Sequence, residues 1–154
     1  VKVRGQIDRI DLDRSAGAAR VIDYKSGSKD GKLKDNRLAG GTALQLPLYL
    51  MAARKLLPTH EVAEAAYWFI TRKGEYARVG FSAGALEERR DKLLAAIATI
   101  ARGITSGRFF ATLDAGQCRM CDFRLVCGSW SRILADWKSA SGAMDDYTAM
   151  KEVE

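Results

Sequence analysis

Two short segments near the start of the chain show the alternation of side chains that is typical of β-strands. Residues 5–12 place Ile7 on one face and Ile10 and Leu12 on the other, so this strand is expected to bury apolar groups on both faces. Residues 21–27 begin with two consecutive β-branched side chains. The polar stretch between them, residues 13–18, contains a glycine and is typical of a turn that joins antiparallel strands. The pattern therefore predicts a β-hairpin.

Helical and strand-like periods alternate along the rest of the chain. The expected elements are a helix over 42–57, strands over 62–71 and 76–81 joined by a turn at 72–75, a helix over 83–106, and a short packed helix that contains Trp130, Ile133, Leu134 and Trp137. The tail, 139–154, is expected to be a linker, a disordered end or a piece that docks elsewhere. This order of elements predicts an α/β fold in which helices cover the faces of a mixed sheet.

Charged side chains interrupt both strands of the predicted hairpin. Asp23 and Lys25 are two residues apart, so they lie on the same face of the second strand. A carboxylate beside an ammonium can bind a divalent cation on one side and orient a water on the other, and phosphodiester hydrolysis needs both. Asp8 lies in the first strand, and strand pairing would bring it opposite Asp23. The two segments together predict a metal-dependent nuclease site.

Each of these features also has an ordinary structural interpretation. Asp8 alone is typical of a turn or edge-strand acid, and Asp23 with Lys25 is compatible with a solvated ion pair that contributes little to stability. Asp11 and Asp13 are interpreted as normal acids of a turn. The matching positions of Asp8 and Asp23 favour a site, since solvated acids need not interrupt two apolar strands at corresponding places.

Three motifs occur here in an order known from one family. They are Gly-x-Ile-Asp-Arg-Ile-Asp at 5–11, Ile-Asp-Tyr-Lys-Ser-Gly at 22–27 and Gln-x-x-x-Tyr at 45–49. In these motifs the chain resembles the nuclease domain of the RecB and AddB helicase–nuclease proteins, within the PD-(D/E)XK superfamily. The resemblance spans residues 1–128 and implies a restriction-endonuclease-like mixed sheet flanked by helices, followed by a C-terminal cysteine loop and a short helix.

The resemblance also implies roles for the acids and the lysine. Asp8 and Asp23 would bind the metal, the Tyr24 carbonyl would be a further ligand, and Lys25 would position or activate the attacking water. Asp8, Asp23 and Lys25 are thus the expected catalytic residues, with Mg²⁺ or Mn²⁺ as cofactor, because Mg²⁺ prefers oxygen ligands and fills its remaining positions with water.

Contacts to DNA are expected at two places. The Gln-x-x-x-Tyr motif implies that Gln45 and Tyr49 place the DNA strand beside the site. Without the resemblance, two residues that are four apart on one helix face are typical of a helix-surface pair. Residues 26–37 form a flexible basic loop in this interpretation, with Lys29, Lys32, Lys34 and Arg37 outnumbering the acids. That loop is equally compatible with a solvated loop and with a contact to DNA phosphates.

All three cysteines lie close together, at Cys118, Cys121 and Cys127. An odd number in one short stretch argues against a disulfide framework, and no signal peptide is visible, so a reducing compartment is expected. Thiolates suit a 4Fe-4S cluster or zinc, and unliganded thiols are the third possibility. The spacing resembles the C-terminal part of the AddB iron–sulfur motif, which implies a cluster in the intact protein that can be absent from a fragment. His60 lies in a predicted surface loop and receives no role.

The chain is expected to be a fragment of a longer protein. It starts with Val1 directly before a strand. The resemblance implies a fourth cysteine, and a further His or Glu of the nuclease site, and both would lie upstream. We expect a nuclease domain over 1–128, including a cysteine loop at 117–128, and a C-terminal helix and tail over 129–154. Its 154 residues are enough for one domain.

The expected function is that of a metal-dependent DNA exonuclease in double-strand break repair and recombination. A net charge of +6 fits a polyanionic partner, and no apolar run approaches the roughly 20 residues of a membrane span. The expected partners are DNA and a helicase–nuclease subunit, without a membrane, in the bacterial cytoplasm near the nucleoid. A catalytically silent scaffold for DNA binding or subunit assembly and a stand-alone CRISPR-associated exonuclease are the alternatives.

Overall fold

The computed structural model describes residues 2–29, 31, 33–109, 118, 121–128 and 131–153. Within these residues, a four-stranded sheet has the order β1 (Arg9–Asp13), β2 (Ala18–Lys25), β3 (Glu61–Phe69) and β4 (Arg78–Ser82). The central pair β2–β3 is parallel and both outer pairs are antiparallel, which confirms the predicted mixed sheet. The helices are α1 (Gln45–Leu56), α2 (Ala83–Thr105), α3 (Arg124–Cys127), α4 (Ser131–Ala140) and α5 (Asp145–Lys151).

The predicted hairpin is confirmed, with a correction to its first strand. β1 begins at Arg9, so Asp8 lies just before the strand and not within it. β1 is the outer strand of the sheet within the described residues, and Leu12 near its end is 44% exposed instead of buried. Asp13 acts as the expected turn acid, because its Oδ1 accepts hydrogen bonds from the Ser15 side chain and from two backbone N–H groups. These bonds, led by that of the Ser15 hydroxyl, lower the pKa of Asp13.

One face of the sheet and the first two helices share a single apolar core. Side chains at alternate positions of the strands point into it, as the two-residue period of a strand requires. They include Val21, Ala65, Tyr67, Phe69, Val79 and Phe81, together with Leu46 and Leu50 of α1 and Leu86 and Leu93 of α2. Asp23 and Lys25 have the same parity as Val21, so the charged pair lies on this covered face.

The start of α1 follows from a proline. Pro47 is the third residue of the helix, where its missing N–H costs nothing because the first four N–H groups have no intrahelical acceptor. The helix therefore begins at Gln45, not at residue 42. The predicted apolar face is confirmed at Leu46, Leu50 and Ala53, all buried.

The prediction of a flexible loop over 26–37 is wrong for its second half. The Asp35 carboxylate accepts a hydrogen bond from the Gly80 N–H at 2.6 Å, and the Asn36 N–H donates to the Gly80 carbonyl at 2.9 Å. Leu38, directly after them, is fully buried. The segment is thus fastened along the outer edge of β4. Lys29 and Lys34 are exposed, whereas Lys32 lies outside the described residues.

The long helix α2 matches its predicted range, and Ser82 caps its start by accepting a hydrogen bond from the Ala85 N–H. The predicted short helix is present as α4, but it is not packed at Trp137, which is 70% exposed, or at Ile133, which is 44% exposed. Trp130 and the side chain of Leu134 lie outside the described residues.

The described part of the tail docks onto the rest of the domain. The Gly40 N–H donates to the Val153 carbonyl at 2.8 Å, and Val153 packs against the core. Gly40 has φ +62°, and a Cβ there would lie 2.9 Å from the Lys151 carbonyl oxygen, so this approach requires glycine. Met144, just before α5, is buried. No helix of the described residues is long and apolar enough to cross a membrane.

Candidate active site

The end of β2 brings a carboxylate and an ammonium together on the covered face of the sheet. Lys25 Nζ lies 2.5 Å from Asp23 Oδ2. Asp23 is 3% exposed, while the Lys25 side chain is 35% exposed, so the lysine reaches solvent where the acid does not. A buried charge needs a partner of opposite sign, and Lys25 supplies it.

The two oxygens of Asp23 have different surroundings. Oδ1 accepts a hydrogen bond of 3.0 Å from Gln45 Nε2. Oδ2 is buried and lies 2.5 Å from the Lys25 ammonium, and no other donor reaches it within the described part of the chain. This contact is an ion pair, and an ionised carboxylate oxygen has a further lone pair that can bind a cation.

Asp8 reaches the same strand end from the other side of the hairpin. Arg9 pairs with Ile22, so Asp8 lies beside residues 23–24, and its Oδ2 accepts a hydrogen bond of 2.9 Å from the Tyr24 N–H. In a strand, the N–H and C=O of one residue point to the same side. The Tyr24 carbonyl therefore faces the edge where Asp8 lies, whereas the Lys25 carbonyl faces β3 and accepts from the Ile70 N–H.

Gln45 and Tyr49 join the site to α1. Besides its bond to Asp23, Gln45 Nε2 lies 2.9 Å from the Tyr49 hydroxyl, and Gln45 Oε1 accepts from Lys25 Nζ at 3.2 Å. The Tyr49 hydroxyl donates to the Gln6 carbonyl at 2.5 Å. Both side chains are half-buried and bonded to residues of the hairpin, so they are not the helix-surface pair that their spacing alone would favour.

Tyr67 on β3 is a site residue that the sequence interpretation missed. It lies opposite Asp23 in the parallel register, its hydroxyl donates to Gln45 Oε1 at 3.1 Å, and Lys25 Nζ lies 4.7 Å from the centroid of its ring. Burial, with smaller contributions from Asp23 and Tyr49, raises the pKa of Tyr67 to about 12, so it is a neutral donor. The aromatic run around it gave no signal of this role, because strand register is not encoded locally.

Arg9 is a second residue without a predicted role. Its guanidinium donates to the Tyr24 hydroxyl at 3.0 Å and pairs with Asp11 at 2.5 Å. The hydrogen bond to Asp11, followed by that to Tyr24, raises the pKa of Arg9. Asp11 thus pairs with a neighbouring side chain on the open face of the hairpin.

The oxygens at the end of β2 fit a hard divalent cation. The candidate ligands are the Asp23 carboxylate, the Asp8 carboxylate and the Tyr24 carbonyl. The described residues contain no group of three or more His, Cys, Asp or Glu side chains placed to bind a metal, so water would complete the coordination. Mg²⁺ commonly binds in this way, through one or two carboxylates and several waters.

The three cysteines predicted as cluster ligands differ in exposure. Cys118 is half-buried, whereas Cys121 and Cys127 are exposed free thiols. The Cys121 N–H donates to the Cys118 carbonyl at 3.4 Å, and Cys127 ends the single turn of α3. Among the described residues no group of three or more His, Cys, Asp or Glu side chains is placed to bind a metal, and the cluster stays a prediction.

Comparison with known proteins gives one family. Residues 1–128 match the family described as the PD-(D/E)XK nuclease superfamily. Similar relatives are proteins named as ATP-dependent helicase/deoxyribonuclease subunits. The protein of Lachnoclostridium phytofermentans is 41% identical over 75 residues, which are 45% of this chain. That of Symbiobacterium thermophilum is 45% identical over 75 residues, or 44% of this chain. That of Clostridium botulinum is 46% identical over 54 residues, or 34% of this chain.

The chain spans only a small part of these relatives. The matched regions are 6% of the first two proteins and 4% of the third. No solved structure matches the chain.

Proposed function

Because this chain belongs to the PD-(D/E)XK nuclease superfamily, we propose that it hydrolyses phosphodiester bonds of DNA with Mg²⁺ or Mn²⁺ as cofactor. The observation that carries the proposal is the pairing of Lys25 Nζ with Asp23 at 2.5 Å, beside an Asp8 that is fastened to the Tyr24 N–H. Burying a carboxylate beside an ammonium costs desolvation of both charges, and a role in catalysis explains why the pair is present.

In this proposal, the residues at the end of β2 have different roles in the reaction. Asp8, Asp23 and the Tyr24 carbonyl bind the cation, which supplies Lewis-acid stabilisation of the charge that builds on the phosphate. The Lys25 ammonium, partly exposed, orients the attacking water and adds positive charge beside the phosphate. Asp23 and Gln45 fix the direction of the Lys25 side chain.

DNA as the substrate rests on the relatives and on the charge of the chain. The relatives are named helicase/deoxyribonuclease subunits, and this chain carries a net charge of +6. Exposed Lys29, Arg72 and Lys73 lie close to the end of β2 in the fold, because the Thr71 hydroxyl bonds to the Ser26 carbonyl at 3.1 Å. Such a positive surface beside the site favours a polyanionic substrate.

The wider setting is part of the same proposal. We infer exonuclease action on DNA ends during break repair, in the bacterial cytoplasm near the nucleoid, with a helicase–nuclease subunit as partner. The relatives' names support the partnership. A 4Fe-4S cluster bound by Cys118, Cys121 and Cys127 stays a prediction, and such a cluster would also need a fourth ligand.

The test is cleavage of labelled linear single- and double-stranded DNA by the purified protein with Mg²⁺ or Mn²⁺. We expect cleavage that stops with a chelator and falls at least about a hundredfold in Lys25→Ala. Lys55→Ala, at an exposed position in the last turn of α1, is the matched control. Wild-type protein that binds DNA without cutting it would instead support the silent scaffold, and equal cleavage by Lys25→Ala would refute the site.

A further inference from the structure

The side-chain amide of Gln45 is fully occupied inside the protein. A glutamine amide offers two N–H donors and one oxygen with two lone pairs. Here Nε2 lies within hydrogen-bond distance of Asp23 Oδ1 at 3.0 Å and the Tyr49 hydroxyl at 2.9 Å. Oε1 accepts from Lys25 Nζ at 3.2 Å and from the Tyr67 hydroxyl at 3.1 Å. In this arrangement the amide has no hydrogen-bonding group left for a DNA strand.

Tyr67 completes the surroundings of the Lys25 ammonium. Among the described residues, that ammonium is contacted by the Asp23 carboxylate at 2.5 Å, by the Gln45 amide oxygen, and by the face of the Tyr67 ring at 4.7 Å from its centroid. Lysine has a flexible four-carbon stem, so one contact alone would leave its ammonium many positions. The ring face attracts the ammonium through the ring quadrupole, and the ring of Tyr67 is itself fixed by burial, since Tyr67 is only 6% exposed.

We propose that Tyr67 and Gln45 are positioning residues of the nuclease site, which place the Lys25 ammonium beside Asp23 and do not contact the DNA. The catalytic part of this inference rests on the proposed function. Tyr67 acts in two ways: its ring lies against the ammonium, and its hydroxyl orients the Gln45 amide so that the oxygen faces Lys25.

The first test separates positioning from DNA binding by steady-state kinetics. A displaced catalytic group lowers kcat, and a misplacement of about 1 Å can cost on the order of a hundredfold. We expect Tyr67→Leu and Gln45→Leu each to lower kcat at least about tenfold, with KM for DNA within about twofold of wild type. Tyr67→Phe, which keeps the ring, should recover most of the loss seen in Tyr67→Leu. Trp68→Leu removes an aromatic ring from the opposite face of the same strand and should leave kcat unchanged.

The second test does not depend on activity. With ¹³C-labelled lysine, the ε-methylene resonance of Lys25 is assigned by its disappearance in Lys25→Arg. Because the ammonium lies over the Tyr67 ring, the ring current should shift these protons upfield of the other lysines. The shift should vanish in Tyr67→Leu, shrink in Gln45→Leu and persist in Tyr67→Phe and Trp68→Leu.

The outcomes separate the two proposals. If wild-type protein cuts no DNA but Lys25 shows the upfield shift, the proposed nuclease function fails while the placement of Lys25 stands. A Lys25 resonance that is the same in wild type and Tyr67→Leu overturns the inference, as does a Gln45→Leu variant that changes KM and not kcat. Should Tyr67→Leu fail to fold, a wild-type Lys25 resonance without an upfield shift still overturns the inference, and Gln45→Leu still tests the effect on kcat.

Discussion

Gly74, in the single 3-10 turn between β3 and β4, has no room for a side chain. An added Cβ would lie 2.7 Å from the Phe69 Cβ and 2.9 Å from the Gly27 carbonyl oxygen. Neither atom can move cheaply, because Phe69 is buried in the core and the Gly27 oxygen belongs to the backbone. Overpacking of this kind typically costs about 1–3 kcal/mol. For a domain of this size each 1 kcal/mol lowers Tm by about 2–4 °C, so Gly74→Ala should lower Tm by about 2–12 °C.

The assay is thermal unfolding followed by circular dichroism, with Gly84→Ala as the matched control. Gly84 lies in the first turn of α2, where an added Cβ meets no atom within 4 Å. Alanine favours helix over glycine by up to about 1 kcal/mol, so Gly84→Ala should melt at or above the wild-type temperature. If Gly74→Ala also melts at or above wild type, the packing of this turn against the end of β2 is not as described.

Gly74→Ala should also change the position of residues in the candidate active site. Gly27 is two residues beyond Lys25, and the Thr71 hydroxyl bonds to the Ser26 carbonyl between them. If the turn moves to accept a Cβ, the strand end that carries Lys25 moves with it. We therefore expect Gly74→Ala to reduce DNA cleavage at temperatures where it is still folded, whereas Gly84→Ala should cleave at the wild-type rate.

Three further predictions concern the site and the cysteines. Asp23→Asn should weaken Mn²⁺ binding, measured by calorimetry, on the order of tenfold or more, because a ligand charge is lost; unchanged affinity would exclude Asp23 as a ligand. Burial raises the pKa of Tyr67 to about 12 from the roughly 10 of an unfolded chain, so the protonated form is favoured in the folded state. The free energy of unfolding should therefore fall as the pH rises from about 10 to about 12, and denaturant titrations should show a smaller fall in Tyr67→Phe. A longer protein that includes an upstream fourth cysteine, purified without oxygen, should contain iron and sulfide that are lost in Cys118→Ser, and iron-free longer protein would contradict the cluster.

The strands, the main helices and the shared face of Asp23 and Lys25 follow from local patterns. A two-residue period sets which side chains share a strand face, and a period of 3.6 sets the apolar face of α1 and α2, so both can be predicted without knowing the fold. The Gln45–Tyr49 spacing likewise placed both residues on one side of a helix. Predictions failed where burial depends on distant parts of the chain, as at Leu12, Ile133 and Trp137.

What surrounds the charged pair depends on tertiary packing. The parallel register of β2 on β3 places Tyr67 opposite Asp23, and the start of α1 at Gln45 puts an amide between the acid, the lysine and the tyrosine. Strand register across a long crossover and the docking of a helix depend on the packing of the whole core, which no local period contains. Local patterns thus show which charged groups share a strand face, whereas the packing of the whole core buries Asp23 among Lys25, Gln45 and Tyr67.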